Sequence, residues 1–434
     1  MSPGEVAALL FGTFGFLVLI RIPVAFALGL ACVPVFFISP RLTPSILFDQ
    51  MFVSYNSFIL LAVPFFLLAA NLMNSAGITQ RLVELAKALV GHLPGGLGHI
   101  NVVVSMMFAG ISGSSTADAA GIGSLLIPQM KKQGYDTSFS VAITACSSVM
   151  GVIIPPSILM VVWGGLMSVS IGAMFLAGVL PGLLITGSLM AIVHIYAKRR
   201  GYPVYVRSNF AELRAAAANA FFALLTPLII VGGIVGGFFT PTEASVVAVL
   251  YTLVIGLFIY RTITLSKLPA ILYESARFAA ISLFCIGTAS AFGWILAYFQ
   301  IPKALIEIMA AWGTGSITTG LIVALSFLVV GMFIDAIPAI IILGTVLYPV
   351  AEAAGIHPVH FGIIGVVSLA FGLVTPPYGL CLLIASSIGG IRLVEALRDV
   401  VIILLPMLGV LLFIIVFPDA ILALPRLLMP RFID

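Results

Sequence analysis

Apolar stretches of about 20 residues recur from one end of this chain to the other, the length a helix needs to cross a hydrocarbon core about 30 Å thick. Runs such as residues 210–238 are apolar on every face, unlike the roughly ten-residue alternating segments of a membrane barrel. Of the 434 residues, 62% are hydrophobic and only 8% charged, too little polar surface to cover a water-soluble fold. The fold class expected is therefore an all-α polytopic membrane protein. No Lys or Arg precedes the first apolar run, and Arg21 follows it, so the first helix is expected to remain as an anchor and not to be a cleaved signal.

Apolar length and Gly/Pro punctuation predict crossings near residues 5–20, 22–39, 57–76, 137–169, 173–197, 215–238, 242–260, 278–298, 360–390 and 398–417. Two further apolar stretches, 98–131 and 317–352, are interrupted midway by small or polar residues and read as re-entrant hairpins. With the N-terminus outside, this layout puts 15 of the 19 Lys and Arg residues in the cytoplasm and leaves Arg41, Lys303, Arg426 and Arg431 outside. Counting either hairpin as one crossing would scatter the charges. The net charge of +4 needs no nucleic-acid partner, because the densest basic run, Lys198 to Arg214, sits in a loop between spans where lipid headgroups explain it.

A shift of 221 residues superimposes Gly110 on Gly331, Pro128 on Pro349, Gly134 on Gly355, Gly151 on Gly372, and Pro155-Pro156 on Pro376-Pro377. Matches confined to Gly and Pro are the trace of a repeated backbone, since these residues serve special dihedrals and breaks. Five crossings per half make the repeat an inverted one. Interrupted helices at corresponding positions of inverted halves point to a secondary transporter and to its binding site.

The pointer falls on two places. In the first half the run from Gly110 to Gly121 brings Ser112, Ser114, Ser115 and Asp118 to a hairpin tip at membrane depth. Non-helical backbone there must be buried in protein or line a watery cavity, and its hydroxyls and carbonyls suit a hard cation such as Na⁺. Downstream, Pro155-Pro156 breaks a span and frees carbonyls from Gly151 to Ile154. In the second half, Gly331 to Pro338 forms the hairpin and Gly372 to Tyr378 the break, with Asp335 at the position of Ser114. An ionisable side chain at such a tip reads as a cation ligand, against a purely structural hydrogen-bonding role. Ser112, Ser114, Ser115 and Thr375 read as functional, the alternative being close helix packing. Asp118 and Glu243 read first as helix caps. No Arg, Lys or His falls within either constellation, so cations and half-helix N-termini would have to supply the positive field for an anion.

Other classes find little support. Gly110-Ile111-Ser112-Gly113 fits a Gly-x-Ser-Gly protease pattern, but the five histidines sit near span ends, away from Ser112. No phosphate-binding Gly-x-x-x-x-Gly-Lys loop occurs for a nucleotide-driven pump. Cys32, Cys146, Cys285 and Cys381 lie singly in apolar segments and read as buried free thiols. Residues 80–90 and 302–312 are amphipathic, match across the repeat and read as interfacial arms.

Leu93 to Asp136, the two Pro-Pro breaks and Gly355 to Gly362 together resemble the large membrane subunit of the tripartite ATP-independent periplasmic (TRAP) transporters, over essentially the whole chain. The resemblance implies an elevator-type carrier in the bacterial inner membrane, Na⁺ as coupling ion, no organic cofactor, a small four-helix membrane subunit and a periplasmic substrate-binding protein. The chain starts at the first span, so that small subunit is expected as a separate polypeptide. The implied division is scaffold at 1–76 and 170–298, arms at 77–97 and 299–316, transport domain at 98–169 and 317–390, and a C-terminal helix and tail at 391–434. By position, one Na⁺ site would use Ser112, Ser114 and Ser115 with Gly151, Ile154 and Pro155. A second would use Gly331 and Asp335 with Gly372, Thr375 and Pro376. Ser112, Ser157, Thr375 and Tyr378 would lie nearest the substrate, a small organic anion such as a C4-dicarboxylate or sialic acid. A stand-alone Na⁺-coupled anion carrier of related fold is the alternative.

Overall fold

Helices in this chain begin and end where Gly, Pro and short polar residues interrupt the apolar runs. The computed structural model describes residues 2–39, 42–311 and 314–433; Arg41, expected outside, and Trp312, the end of the second expected arm, lie outside them. Among the described residues there are twenty α-helices and no strand. In order they begin α1 (Pro3–Leu19), α2 (Val24–Ile38), α3 (Ser45–Tyr55), α4 (Ala62–Ser75) and α5 (Ile78–Val90). The first hairpin and first broken helix follow as α6 (Gly96–Ser112), α7 (Ser115–Lys132), α8 (Thr137–Ser148) and α9 (Ile158–Met167). Long helices α10 (Ile171–Arg200), α11 (Phe210–Val235), α12 (Pro241–Val254) and α13 (Leu268–Tyr298) lead to the second half. That half contains α14 (Ile301–Ala311), α15 (Ser316–Gly331), α16 (Ala336–Ala353), α17 (Pro358–Gly372), α18 (Leu380–Gly389), α19 (Leu393–Val416) and α20 (Pro418–Leu428).

The 221-residue register holds helix by helix. Residues 115–132 of α7 map onto 336–353, the limits of α16, and α6, α8, α9 and α10 fall within a few residues of α15, α17, α18 and α19. Gly134 and Gly355 both adopt left-handed φ, at 83° and 77°, in the turns that follow the hairpins. This is the conformation a residue without Cβ adopts most readily.

Six helices (α10, α11, α12 with its π-turn to Ile259, α13, α16 and α19) are long and apolar enough to cross a membrane. The spans expected at 137–169 and 360–390 are each built from two short apolar helices meeting at a Pro-Pro pair. The residues expected as hairpins fold back on themselves, α6 against α7 and α15 against α16. Three elements differ from expectation. The first is α3, packed on α13 and set at 72° to the segment Ile59–Ser75; Asp49, Gln50 and Ser54 dilute its apolar signal. Helix α13 starts at Leu268 and not near 278, because Glu274 and Arg277 mask its first turns while Pro269 sits at its start. The tail forms α20, whose apolar face buries Ile421, Leu422 and Pro425.

Both arms are amphipathic helices, as expected: α5 packs on α6 and α11, and α14 on α16 and α13. Helices α2, α3, α4, α12 and α13 pack among themselves, α10 and α19 pack on the hairpin and broken-helix elements α6, α8, α9, α15 and α17, and the two groups meet where α13 packs on α16 and α4 on α6 and α9. Gly178 and Gly182 of α10 press so closely on Ile153 and Ile154 at the first break that a Cβ at either would collide. At its C-terminal end α10 is tied by Arg200, which donates to Asp136 ahead of α8 (2.7 Å) and to Asp399 of α19 (2.9 Å). All four cysteines are buried and free.

Candidate functional site

Chain reversal at the first hairpin rests on Gly113, in the left-handed region at φ 63°, and on Ser114, whose hydroxyl caps α7 at the amide of Ala117 (3.5 Å). The tip is stitched to the first break from both sides. Ile158 donates its amide to the Gly113 carbonyl (3.2 Å), and the Ser115 hydroxyl donates to the Val149 carbonyl (3.4 Å). Gly110 packs on the other face, its missing Cβ 3.2 Å from Pro227 of α11 and 3.4 Å from the Pro155 carbonyl. Gly151 lies on the hairpin backbone, where a Cβ would stand 2.9 Å from the Ser114 carbonyl carbon and collide with Asp118.

Asp118 is the residue that sequence reasoning placed wrongly. It is fully buried, and the cap expected of it is made by Ser114. One carboxylate oxygen accepts from the Ser112 hydroxyl; the other, Oδ2, is buried against Gly151 and has no hydrogen-bond partner among the described residues. A carboxylate so enclosed requires a compensating positive charge or a proton. The C-terminal end of α6 at Ser112 and that of the 3₁₀ turn Val149–Val152 lie beside it and add partial negative charge. The signal available in the sequence was an ionisable residue at a hairpin tip, the same feature that marked Asp335. Glu243, by contrast, does cap as expected, in a reciprocal box with Thr240 at 2.8 and 3.2 Å.

In the second half the corresponding glycines touch directly. A Cβ on Gly372 would stand 2.7 Å from the backbone of Gly331 and 2.8 Å from the Leu328 carbonyl, so hairpin and break meet backbone to backbone. The Tyr378 amide donates to the Met332 carbonyl (3.2 Å), as Ile158 does to Gly113. Asp335 caps α16 through the amide of Ala336 (2.8 Å), the role Ser114 plays for α7, and its side chain is exposed. Thr375 donates its hydroxyl to the Phe371 carbonyl (2.7 Å). Behind Gly379, α18 starts with no side-chain cap among the described residues; its Cys381 amide donates to the Leu373 carbonyl (2.9 Å), and the helix end carries the positive side of the dipole.

The contacts bring Ser112, Ser114, Ser115, Gly151 and Pro155 to one junction of hairpin and break and join Gly331 to Gly372 at the other, while the Ile154 side chain faces Gly182 of α10 and Asp335 and Thr375 bond within their own segments. Of the residues expected nearest an anion, Ser112 and Ser157 are closed off, while Thr375 is half-buried and Tyr378 is 49% exposed. Ser157 is committed to the backbone: it donates to the Val152 carbonyl (2.6 Å) and accepts from Met160 (3.3 Å). Among the described residues no three His, Cys, Asp or Glu side chains converge as a metal-binding set, so the oxygens on offer at each junction are hydroxyls, carbonyls and one carboxylate.

Residues 11–420 match the family described as "Tripartite ATP-independent periplasmic transporter, DctM component". The chain belongs to this TRAP family. It is 39% identical over 418 residues to the sialic acid TRAP transporter large permease protein SiaM of Vibrio cholerae, covering 96% of this chain and 98% of the relative. It is 38% identical over 377 residues to the C4-dicarboxylate TRAP transporter large permease protein DctM of Pseudomonas aeruginosa, covering 87% and 88%. The fold also resembles the solved Alcanivorax borkumensis YdaH transporter, with a TM-score of 0.61 at 15% identity over 86% of this chain and 87% of that one. The chain is thus a multi-pass membrane component of a TRAP transporter and not an enzyme, which disposes of the serine-protease pattern at Ser112.

Proposed function

We propose that this chain is the Na⁺-coupled permease that imports a small carboxylate-bearing organic anion across the bacterial inner membrane. A periplasmic binding protein delivers the anion, and a small membrane subunit completes the assembly. The family membership and the substrates named for SiaM and DctM support a carboxylate as cargo. The observation that carries the coupling is the enclosed, half-satisfied carboxylate of Asp118, wedged between the hairpin tip and Gly151.

In this mechanism Na⁺ is cargo. One ion sits at the first junction, among Ser112, Ser114 and Ser115 and the carbonyls of the Gly151 to Pro155 break, with Asp118 neutralising it. A second sits at Gly331, Asp335, Gly372, Thr375 and Pro376. The anion arrives between the junctions, near Thr375 and Tyr378, where the uncapped start of α18 adds positive field. The two hairpins, the two broken helices and the attached α10 and α19 move as one body against α2, α3, α4, α12 and α13. The contacts of Gly178 and Gly182 with the first break support including α10 in the moving body.

The test is uptake by proteoliposomes that contain the small subunit and are supplied with the binding protein. Uptake should require an inward Na⁺ gradient, and Asp118→Asn should raise the half-saturating Na⁺ concentration on the order of tenfold, the loss of one charge-assisted contact. Uptake indifferent to the Na⁺ gradient would refute the coupling.

A further inference from the structure

Away from the hairpins, the loop joining α10 to α11 folds against the first arm and leaves an open surface groove of about 430 Å³. Tyr205 holds the loop down: its amide donates to the Gly91 carbonyl (3.2 Å), and its ring lies 4.9 Å from the ammonium of Lys87 on α5. Glu84 and Lys87 from α5, Ser208 from the loop and Glu212 from the first turn of α11 line the groove. By the distribution of basic residues this is the cytoplasmic edge of the membrane.

Groups lining this groove keep unused hydrogen-bonding capacity, Lys87 through its N–H donors beside the Tyr205 ring and Glu212 through one oxygen. Although Glu84 and Lys87 are three residues apart on one helix, they make no ion pair, and neither side chain hydrogen-bonds within the described residues. Glu212 uses Oε2 to cap the amide of Asn209 (3.1 Å) and keeps its other oxygen. Beside the groove, Val204, Val206 and Phe210 are 54%, 94% and 79% exposed. Apolar side chains this exposed, at the edge of a charged recess on a membrane protein, match a molecule whose polar head enters the recess and whose chains remain in lipid.

We infer that the groove binds the headgroup of a phospholipid carrying a primary ammonium and a phosphodiester, the ethanolamine type. The ammonium donates to Glu84 and the free oxygen of Glu212, and the phosphodiester accepts from Lys87 and the Ser208 hydroxyl. Neither a trimethylated ammonium nor a glycerol headgroup offers an ammonium N–H to the carboxylates. The groove therefore selects by hydrogen-bond donation. Because α5 also packs on α6 of the first hairpin, a lipid held here braces the arm at the point where it meets that hairpin.

The experiment is native mass spectrometry of the purified full chain in detergent, titrated in parallel with dioleoyl phosphatidylethanolamine, phosphatidylcholine and phosphatidylglycerol. Phosphatidylethanolamine should be retained at least fivefold more than either of the others. Glu84→Gln and Lys87→Gln should each bring that ratio close to one, with Lys87→Arg restoring it and with an unchanged thermal midpoint certifying the fold. Equal retention of the three lipids, a preference for phosphatidylglycerol, or a preference that survives both neutral variants would overturn the assignment. Lipid binding is read without transport, so failure here is distinguishable from failure of the Na⁺-coupled mechanism.

Discussion

Arg200 holds two carboxylates that look alike in sequence and differ in environment, and replacing it separates what each is worth. Its Nη1 donates to Asp136 (2.7 Å), whose side chain is 54% exposed, and its Nη2 to Asp399 (2.9 Å), whose side chain is 5% exposed. Tyr196 and Ser138 also donate to Asp399, at 3.1 and 2.7 Å, and Tyr202 donates to Asp136 at 2.6 Å. Removing one partner of a buried pair costs about 3–5 kcal/mol when the remaining charge is left alone. Here two hydroxyls remain on Asp399 and part of Arg200 is solvated, so Arg200→Gln should cost about 2–3 kcal/mol. The exposed Asp136 pair is worth at most about 1 kcal/mol.

At roughly 2 °C per kcal/mol, the thermal midpoint of the purified protein should fall by about 4–6 °C in Arg200→Gln and by no more than about 2 °C in Asp136→Asn. Adding Asp399→Asn to Arg200→Gln should recover part of the loss, because the stranded buried charge is then gone. Equal shifts for Arg200→Gln and Asp136→Asn, or strictly additive losses in the double variant, would refute the assignment of the stability to Asp399.

Three further outcomes follow from the contacts. Gly151→Ala should abolish uptake in the proteoliposome assay, since its methyl collides with Asp118 and Ser114, while Gly187→Ala, with open space around it, should leave uptake unchanged. Ser157→Ala should cost about 1–2 kcal/mol through loss of the α9 cap, and hydrogen exchange should speed up at Met160 before it does elsewhere in α9. Asp136 is held below the ordinary carboxylate range, chiefly by the Tyr202 hydroxyl and then by Arg200. Its contribution is complete above its unfolded pKa of about 3.9 and is lost as pH falls through the lower folded value. The thermal midpoint of the wild type relative to Asp136→Asn should therefore stay constant from pH 8 to 5 and narrow only below about pH 4.

Much of the fold could be read along the chain because it depends on local properties. Apolar length marks a helix that lipid can solvate, and a Gly or a Pro pair marks where it must turn or break. That is why the 221-residue register locates α7 against α16 to the residue, and why Ser114 and Asp335 prove to be equivalent caps. Helices α3 and α20 escaped because they are amphipathic or diluted by polar residues, so their burial depends on neighbours and not on their own hydropathy.

The candidate sites divide along the same line. Which residues approach the breaks was legible, since the hairpin tips and Pro-Pro pairs announce themselves. Asp118 was not: a carboxylate in the first turn of a helix reads as a favourable terminal charge, and only the packing of Gly151 from another helix closes it off from solvent. The packing of α10 on the first break and its tie to α19 are of the same kind, resting on Gly178, Gly182 and Arg200 meeting residues far away in sequence. The sequence by itself determined the helical membrane class, the repeat and its breaks, because solvent transfer and backbone dihedrals are properties of a residue and its neighbours. Tertiary structure alone decided which carboxylate is enclosed and which helices pack on the breaks, because burial and contact are set by elements that meet only once the chain has folded.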